Sequence, residues 1–167
     1  LPIHRFSDFK AWVSIMYGCN NFCTYCVVPY VRGRERSRRR EDILEEVRGL
    51  AEAGYREITL LGQNVNSYGS DGVNGEGYDF ADLLADICRI DGDFTVRFMT
   101  SHPKDVSEKL IDVIAGNPKI ARQFHLPLQS GSDRILREMN RHYDTARYLA
   151  AVDCMRRRIP DISLSTD

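Results

Sequence analysis

The strongest constraint on the fold is a repeated alternation of short apolar segments with longer amphipathic ones. The short segments are rich in β-branched and aromatic residues, which is typical of strands. The five expected strands are 11–17, 57–61, 94–99, 120–126 and 159–165. Apolar residues recur at helical spacing between them. The expected helices are 41–53, 79–90, 107–116, one opening near Ser130 and one from Thr145 through Met155.

Several of these helices carry recognisable end signals. Asp79 and Ser107 stand where an N-cap side chain accepts a backbone N–H, and Gly54 follows a helix as a C-cap. Ser130 followed by Asp133 resembles a capping box.

The connections are too long for hairpins, which favours parallel strands joined by right-handed βαβ units. Strands buried on both faces should be almost entirely apolar. These strands instead carry polar residues, namely Ser14, Thr59, Thr95, Arg97 and Ser163. One sheet face is therefore expected to line a polar cavity, which favours a barrel over an open sheet. We predict an α/β fold, a partial (β/α) barrel of about five parallel strands with flanking helices, with its chemistry in the loops after the strands.

Composition excludes several other classes. The chain has 167 residues, 28% charged and 43% hydrophobic, with a net charge of -1. A chain of this size buries about 70% of its unfolded surface, so one core is expected and disorder is not. No apolar run approaches the ~20 residues that a membrane-spanning helix needs, and we expect a cytoplasmic protein. The chain starts at Leu1 and stops within an apparent strand, so we expect a piece of a longer protein.

Cysteine spacing indicates the chemistry. Five cysteines are present, and Cys19, Cys23 and Cys26 form a C-x3-C-x2-C cluster directly after the first strand. An odd, clustered set favours reduced thiols and metal binding over a disulfide framework. Three thiolates are one ligand short of a closed zinc site or a fully ligated four-iron cluster, so one metal position stays open for a substrate or cofactor.

Zinc is an alternative that the cysteines alone leave open. A fourth ligand could come from His4, His102, His125 or His142. The two remaining cysteines, Cys88 and Cys154, lie beside apolar helix stripes and are most simply core residues.

Beyond the cysteines, a set of ordered sequence blocks resembles a known family. An aromatic residue precedes the last cysteine, and this three-cysteine pattern after a first strand is the signature of radical S-adenosylmethionine enzymes. The further blocks are GCNNFCTYCVVPYVRGRERSR, LLGQNVNSYG, SHP, HLPLQSGSDRIL and MNRHY. In this order they resemble the MiaB-type tRNA methylthiotransferases over nearly the whole chain.

The resemblance implies a 4Fe-4S cluster on Cys19, Cys23 and Cys26, with S-adenosylmethionine on its fourth iron. A reducing electron-donor protein would supply the electron that cleaves the sulfonium bond and gives a deoxyadenosyl radical. The radical would activate carbon 2 of an isopentenylated adenosine next to the tRNA anticodon, where a methylthio group is installed. The implied contacts to S-adenosylmethionine are Tyr25, Gln63, Ser101, Gln129 and Ser130. Capping and loop hydrogen bonds are the simpler explanation for some of these, Ser130 above all.

An arginine run lies directly after the cysteines. It comprises Arg32, Arg34, Arg36, Arg38, Arg39 and Arg40. Such a run is often only a solvated face. Beside the proposed site, however, its positive field would meet the phosphates of an RNA loop. We therefore expect Arg32, Arg34, Arg36 and Arg38 to bind the tRNA anticodon stem-loop. A second run, 156–158, falls in the last turn of a helix, where the helix dipole accounts for it.

Two other functions compete with tRNA methylthiolation: methylthiolation of a ribosomal-protein aspartate, and a zinc-stabilised RNA-binding module without catalysis. The resemblance also implies parts outside this chain, namely an N-terminal domain with an auxiliary 4Fe-4S cluster and a C-terminal RNA-binding domain. Residues 1–167 are expected to form the radical S-adenosylmethionine core domain, incomplete at its C-terminal end. We therefore expect no complete reaction from this chain alone.

Overall fold

A computed structural model describes residues 7–167; residues 1–6, among them His4, lie outside the described part. Strands and helices alternate as the sequence predicts. The strands are β1 (Lys10–Ser14), β2 (Met16–Tyr17), β3 (Arg36–Ser37), β4 (Glu57–Leu61), β5 (Thr95–Phe98), β6 (Gln123–His125) and β7 (Ser163–Ser165). The helices are α1 (Val28–Arg32), α2 (Arg40–Glu52), α3 (Phe80–Cys88), α4 (Glu108–Gly116), α5 (Asp133–Glu138) and α6 (Thr145–Arg158). Short 3-10 turns occupy Val65–Ser67 and Pro103–Asp105.

Five of the strands form a parallel array. β1 pairs with β4, and β4 with β5, all in parallel. A parallel bridge between Val96 and Ile120 then leads to the parallel pair of β6 and β7. The prediction of about five parallel strands with flanking helices, as part of a barrel, is confirmed.

The two faces of this array differ as the polar strand residues predict. One face is apolar and packs on the helices; Val13, Ile58 and Val96 on it are fully buried. On the other face Trp12, Thr59 and Arg97 lie in register on three neighbouring strands. They line a cavity of about 210 Å³. The polar residues therefore face the inside of the partial barrel.

The first predicted strand is interrupted. At Ile15 the chain exchanges partners, because the Ile15 N–H donates to the Leu61 carbonyl at 2.8 Å while its own carbonyl accepts the Arg38 N–H at 2.8 Å. The following β2 then pairs antiparallel with β3, inside the arginine run. The fifth strand begins only at Ser163, since Ile159 still caps α6.

The predicted N-caps at Asp79 and Ser107 are confirmed, whereas α2 has Ala53 at its C-cap and Gly54, with φ of 87°, follows it. The Asp79 side chain accepts the Asp82 N–H at 3.1 Å in a capping box, and Ser107 accepts the Leu110 N–H at 3.1 Å. The capping box expected at Ser130 is wrong: the N-cap of α5 is Ser132, two residues later, and the Ser130 hydroxyl accepts the Ser132 N–H at 3.2 Å.

The two cysteines outside the cluster, Cys88 and Cys154, are half-buried and pack against the core, as expected. Within residues 7–167 no helix has the length and apolar character needed to cross a bilayer.

Candidate metal and cofactor site

The cysteine-bearing segment, residues 18–27, is called here the cysteine loop, and one of its sides is fixed by the arginine run. The Cys19 N–H donates to the Gly33 carbonyl at 3.1 Å. Gly18 has φ of 73°, and a Cβ built on it would lie 2.0 Å from the Arg34 carbonyl oxygen. Only glycine permits this approach without displacing backbone. Asn20 and Glu35 add a reciprocal pair of side-chain to backbone hydrogen bonds of 3.2 and 3.3 Å.

The other side of the loop is fixed by the segment after α5. The Thr24 N–H donates to the Met139 carbonyl at 3.2 Å. The Asn140 amide donates to the Phe22 carbonyl at 2.9 Å and to the Asn21 carbonyl at 3.3 Å. Carbonyls that lack a regular secondary-structure partner are thereby satisfied. The loop is held between two segments that are far apart in sequence.

The three cysteines of the loop differ in burial. Cys19 and Cys23 are buried, Cys26 is half-buried, and all three are free thiols. Burial raises the pKa of Cys19, the hydrogen bond from the Asn21 N–H offsets part of this, and the charges of Glu35, Cys23 and Cys26 add smaller increases. Two donors point at the cysteine sulfurs: the Asn21 N–H at 3.5 Å from the Cys19 Sγ and the Arg141 Nη1 at 3.3 Å from the Cys23 Sγ.

This donor set fits an iron–sulfur cluster held by three thiolates. Soft thiolates are the usual ligands of such clusters, and each binds a different iron, so the three need not converge on one point. Across residues 7–167, no three His, Cys, Asp or Glu side chains are grouped tightly enough to hold a single metal ion.

Two of the histidines considered as zinc ligands, His102 and His125, make other contacts. The His102 Nδ1 accepts the Lys104 N–H at 3.2 Å, and His125 hydrogen-bonds the Ser165 hydroxyl at 3.0 Å. Burial, followed by the nearby positive charges, lowers the pKa of His102 to about 3, so this ring is neutral. His142 is exposed, and His4 lies outside the described residues.

Three of the predicted cofactor contacts lie together. The Tyr25 hydroxyl donates to the Gln129 Oε1 at 3.0 Å, and Ser130 follows next in the chain. Gln129 has φ of 69°, an uncommon conformation outside glycine. Tyr25 is 55% exposed, so its ring remains open to a ligand beside Cys26.

The other two predicted contacts, Gln63 and Ser101, lie on adjoining loops after β4 and β5. The Val65 N–H donates to the Thr100 carbonyl at 3.1 Å, and the Thr100 hydroxyl donates to the Gly62 carbonyl at 2.5 Å. Ser101 is buried and Gln63 is half-buried. In the described part of the chain no hydrogen bond joins these two residues to Tyr25 or Gln129. All five stay predicted contacts, placed at the carboxyl ends of the strands.

The arginine run divides into two groups. Arg32, Arg34 and Arg36 are exposed and form no ion pair with any residue of the described chain. Arg38 differs from them, since its guanidinium donates to the Ser14 carbonyl at 2.6 Å and to the Glu46 carboxylate at 2.9 Å. Arg39 and Arg40 pair with Glu41. Arg38 therefore supports the fold, and the first three arginines present free charge beside the cysteine loop.

Two features of the site escape sequence reasoning. The first is a group of exposed apolar side chains that surround the predicted contact Tyr25 on the cysteine loop: Phe22, Val27, Tyr30 and Val31. The rings of Phe22 and Tyr30 meet edge to face at 5.9 Å. The second is Arg141, which is only 6% exposed. Arginine is rarely buried, so nothing in the MNRHY block marks this residue as part of the site.

Five parallel strands, helices on their outer face and a three-cysteine loop after the first strand together define a class of protein. The family model for the radical SAM superfamily matches residues 13–167. The chain belongs to this superfamily.

Curated relatives give a narrower comparison. The chain is 60% identical over all of its 167 residues to the tRNA-2-methylthio-N(6)-dimethylallyladenosine synthase of Clostridium perfringens, of which it covers 37%. It is 57% identical to the protein of that name from Carboxydothermus hydrogenoformans, of which it covers 38%. The chain thus spans little more than a third of these relatives.

Solved structures show the same fold at low identity. The radical S-adenosylmethionine methyltransferase TsrM from Kitasatospora setae matches with a TM-score of 0.73 and 18% identity, over 95% of this chain and 30% of that one. The cobalamin-dependent S-adenosylmethionine radical enzyme OxsB matches with a TM-score of 0.71 and 14% identity, over 93% of this chain and 23% of that one.

Proposed function

We propose that this chain is the radical S-adenosylmethionine core of a cytoplasmic tRNA methylthiotransferase. The reaction would place a methylthio group on carbon 2 of isopentenylated adenosine next to the anticodon. The observation that carries the proposal is the three-cysteine loop, held between two distant segments, in a chain 60% identical to a synthase of that tRNA modification. The names of these relatives favour tRNA over a ribosomal-protein aspartate.

The chain's own residues would bind and orient the cofactors. Cys19, Cys23 and Cys26 would each give one thiolate to a 4Fe-4S cluster, with the proton of each thiol released on binding. When bound, the cluster and S-adenosylmethionine supply a one-electron route to a radical that can abstract hydrogen from an unactivated carbon. Tyr25 and Gln129, already hydrogen-bonded to each other, would border the S-adenosylmethionine site from the side of Cys26.

The surface around the cysteine loop suits an RNA loop. Free guanidinium groups of Arg32, Arg34 and Arg36 can pair with phosphates, which dominate the affinity of proteins for nucleic acids. Exposed Phe22 and Tyr30 supply aromatic faces on which unpaired bases stack. We propose that this surface binds the anticodon stem-loop.

The complete reaction is proposed to need more than this chain. The relatives are nearly three times as long. We propose that an N-terminal domain with an auxiliary 4Fe-4S cluster, a C-terminal RNA-binding domain and a reducing electron-donor protein take part.

Anaerobic reconstitution with iron and sulfide tests the proposal. The protein should gain the broad visible absorption of a 4Fe-4S cluster and, with dithionite, convert S-adenosylmethionine to 5'-deoxyadenosine. Cys23→Ser should abolish both. Cys154→Ser is the matched control, because Cys154 is a free cysteine packed against the core away from the loop, and it should retain both.

Each other outcome has a definite meaning. A protein that binds one zinc and no iron would support the zinc-stabilised module instead. A cluster that never cleaves S-adenosylmethionine, or equal losses in the two cysteine variants, would refute the proposed chemistry.

A further inference from the structure

Arg141 is a buried cation without a carboxylate partner. Its side chain is almost fully buried, and among residues 7–167 no Asp or Glu forms an ion pair with it. A buried guanidinium is costly unless it is hydrogen-bonded and its charge is compensated. Here the groups around it are two phenols and a thiol.

The guanidinium is held in one orientation. The Arg141 Nε donates to the Tyr143 hydroxyl at 3.3 Å, and its carbon lies 5.4 Å from the centre of the Tyr143 ring. Tyr143 is fixed in turn, because its hydroxyl donates to the Leu128 carbonyl at 2.6 Å. Arg141 cannot swing away from the loop without breaking these contacts.

The remaining donor points at the cysteine loop. The Arg141 Nη1 lies 3.3 Å from the Cys23 Sγ and 3.4 Å from the Tyr25 hydroxyl. Asn140, the preceding residue, donates to the carbonyls of Asn21 and Phe22 and so ties this segment to the same loop. Within the described chain, Arg141 is the one arginine that donates to a cysteine sulfur.

We infer that Arg141 is a positioning residue that sets the reduction potential of the cluster through the Cys23 sulfur. This rests on the proposed function. A four-iron cluster on three thiolates carries one net negative charge when oxidised and two after it accepts one electron from an external reductant. A fixed positive charge donating to a cluster sulfur stabilises the reduced form more, and hydrogen bonds to sulfur are known determinants of such potentials. Arg141 therefore raises the potential and makes reduction easier.

The test is a redox titration of the reconstituted protein, followed by EPR, without S-adenosylmethionine. The EPR signal to follow is that of the reduced cluster on the three cysteines. It is identified by a change of shape when S-adenosylmethionine is added after the titration, because only a cluster with an open iron position can bind this cofactor. At a fixed solution potential, Arg141→Gln should lower the ratio of reduced to oxidised cluster about tenfold, which corresponds to a midpoint potential about 59 mV lower for a one-electron couple. Arg137→Gln is the matched control. Arg137 is an exposed arginine on α5 without contact to the cysteines. The reduction potential of the cluster in this variant should therefore equal that of the parent protein.

A spectroscopic measurement on the parent protein keeps the inference testable if Arg141→Gln fails to fold or to bind iron. With arginine labelled by nitrogen-15, pulsed EPR of the reduced cluster should show a nitrogen-15 coupling, because the Nη1 hydrogen bond delocalises spin onto it. A potential unchanged in Arg141→Gln, or no coupling in the parent, would overturn the role of Arg141. A parent protein that forms no cluster at all would instead refute the proposed function.

Discussion

Replacing Gly18 by alanine should damage the cysteine loop more than its small size suggests. The added Cβ would stand 2.0 Å from the Arg34 carbonyl oxygen, where an ordinary contact is well over 3 Å. The obstacle is backbone, so the 33–34 segment has to move. That movement breaks the hydrogen bond from the Cys19 N–H to the Gly33 carbonyl.

The expected cost combines three contributions. Alanine in the left-handed region costs about 1 kcal/mol, and the broken hydrogen bond costs about 1 kcal/mol. Overpacking adds about 1 kcal/mol or more. The free energy of unfolding should therefore fall by about 3 kcal/mol, and iron bound after reconstitution should fall with it.

Gly54→Ala is the control for this experiment. Gly54 has a similar φ of 87°, but a Cβ there meets nothing within 4 Å. It should lose only the conformational cost of about 1 kcal/mol and keep its iron. Urea unfolding of the metal-free proteins and iron analysis after reconstitution measure both effects. Equal stability losses in the two variants would show that the close approach of the 33–34 segment does not constrain the loop.

Three further outcomes follow from particular contacts. Arg34→Gln should weaken anticodon stem-loop binding and reduce the slope of log affinity against log salt by about 0.7 to 0.9, measured by fluorescence anisotropy, whereas Arg157→Gln on the last turn of α6 should leave the slope unchanged. The pKa of His102 is lowered to about 3 by burial, so between about pH 6 and pH 4 only the unfolded state takes up its proton. This group should therefore lower the free energy of unfolding by about 1.4 kcal/mol for each pH unit of acidification. Urea unfolding across this pH range should show that His102→Gln removes this contribution. The same pH dependence in the variant and the parent would contradict the assignment. Asp79→Ala removes the capping box of α3 and should cost about 1 kcal/mol in urea unfolding, whereas Ser132→Ala, at an N-cap without a side-chain hydrogen bond, should cost little.

Some features of this fold can be predicted from the sequence because they depend on residues that are close together in the chain. The capping by Asp79 depends on residues three positions away, and the three-cysteine spacing lies within eight residues. The polar strand residues also predict correctly that one sheet face lines a cavity, since side chains alternate between faces along a strand.

Features that depend on contacts between distant parts of the chain cannot be predicted in this way. In the sequence, residues 36–37 are part of a charged run. They form a strand because they pair with Met16 and Tyr17 in the folded chain. Arg38 reads like its neighbours, yet Glu46 and the Ser14 carbonyl bind its guanidinium. Side-chain roles within a charged run depend on which partners the fold brings near.

The cysteine loop shows why local pattern and distant contact have to be combined at this site. Its spacing predicts the metal ligands, but the loop has little regular structure, and both Gly18 and Phe22 adopt positive φ. It is held instead by Gly33 on one side and by Asn140, 118 residues from Phe22, on the other. These anchors meet only after the parallel array has brought the end of β1 beside the end of α5. The ligand geometry therefore depends on the folded core, so we expect substitutions that loosen the 139–141 segment to reduce cluster binding before they unfold the protein.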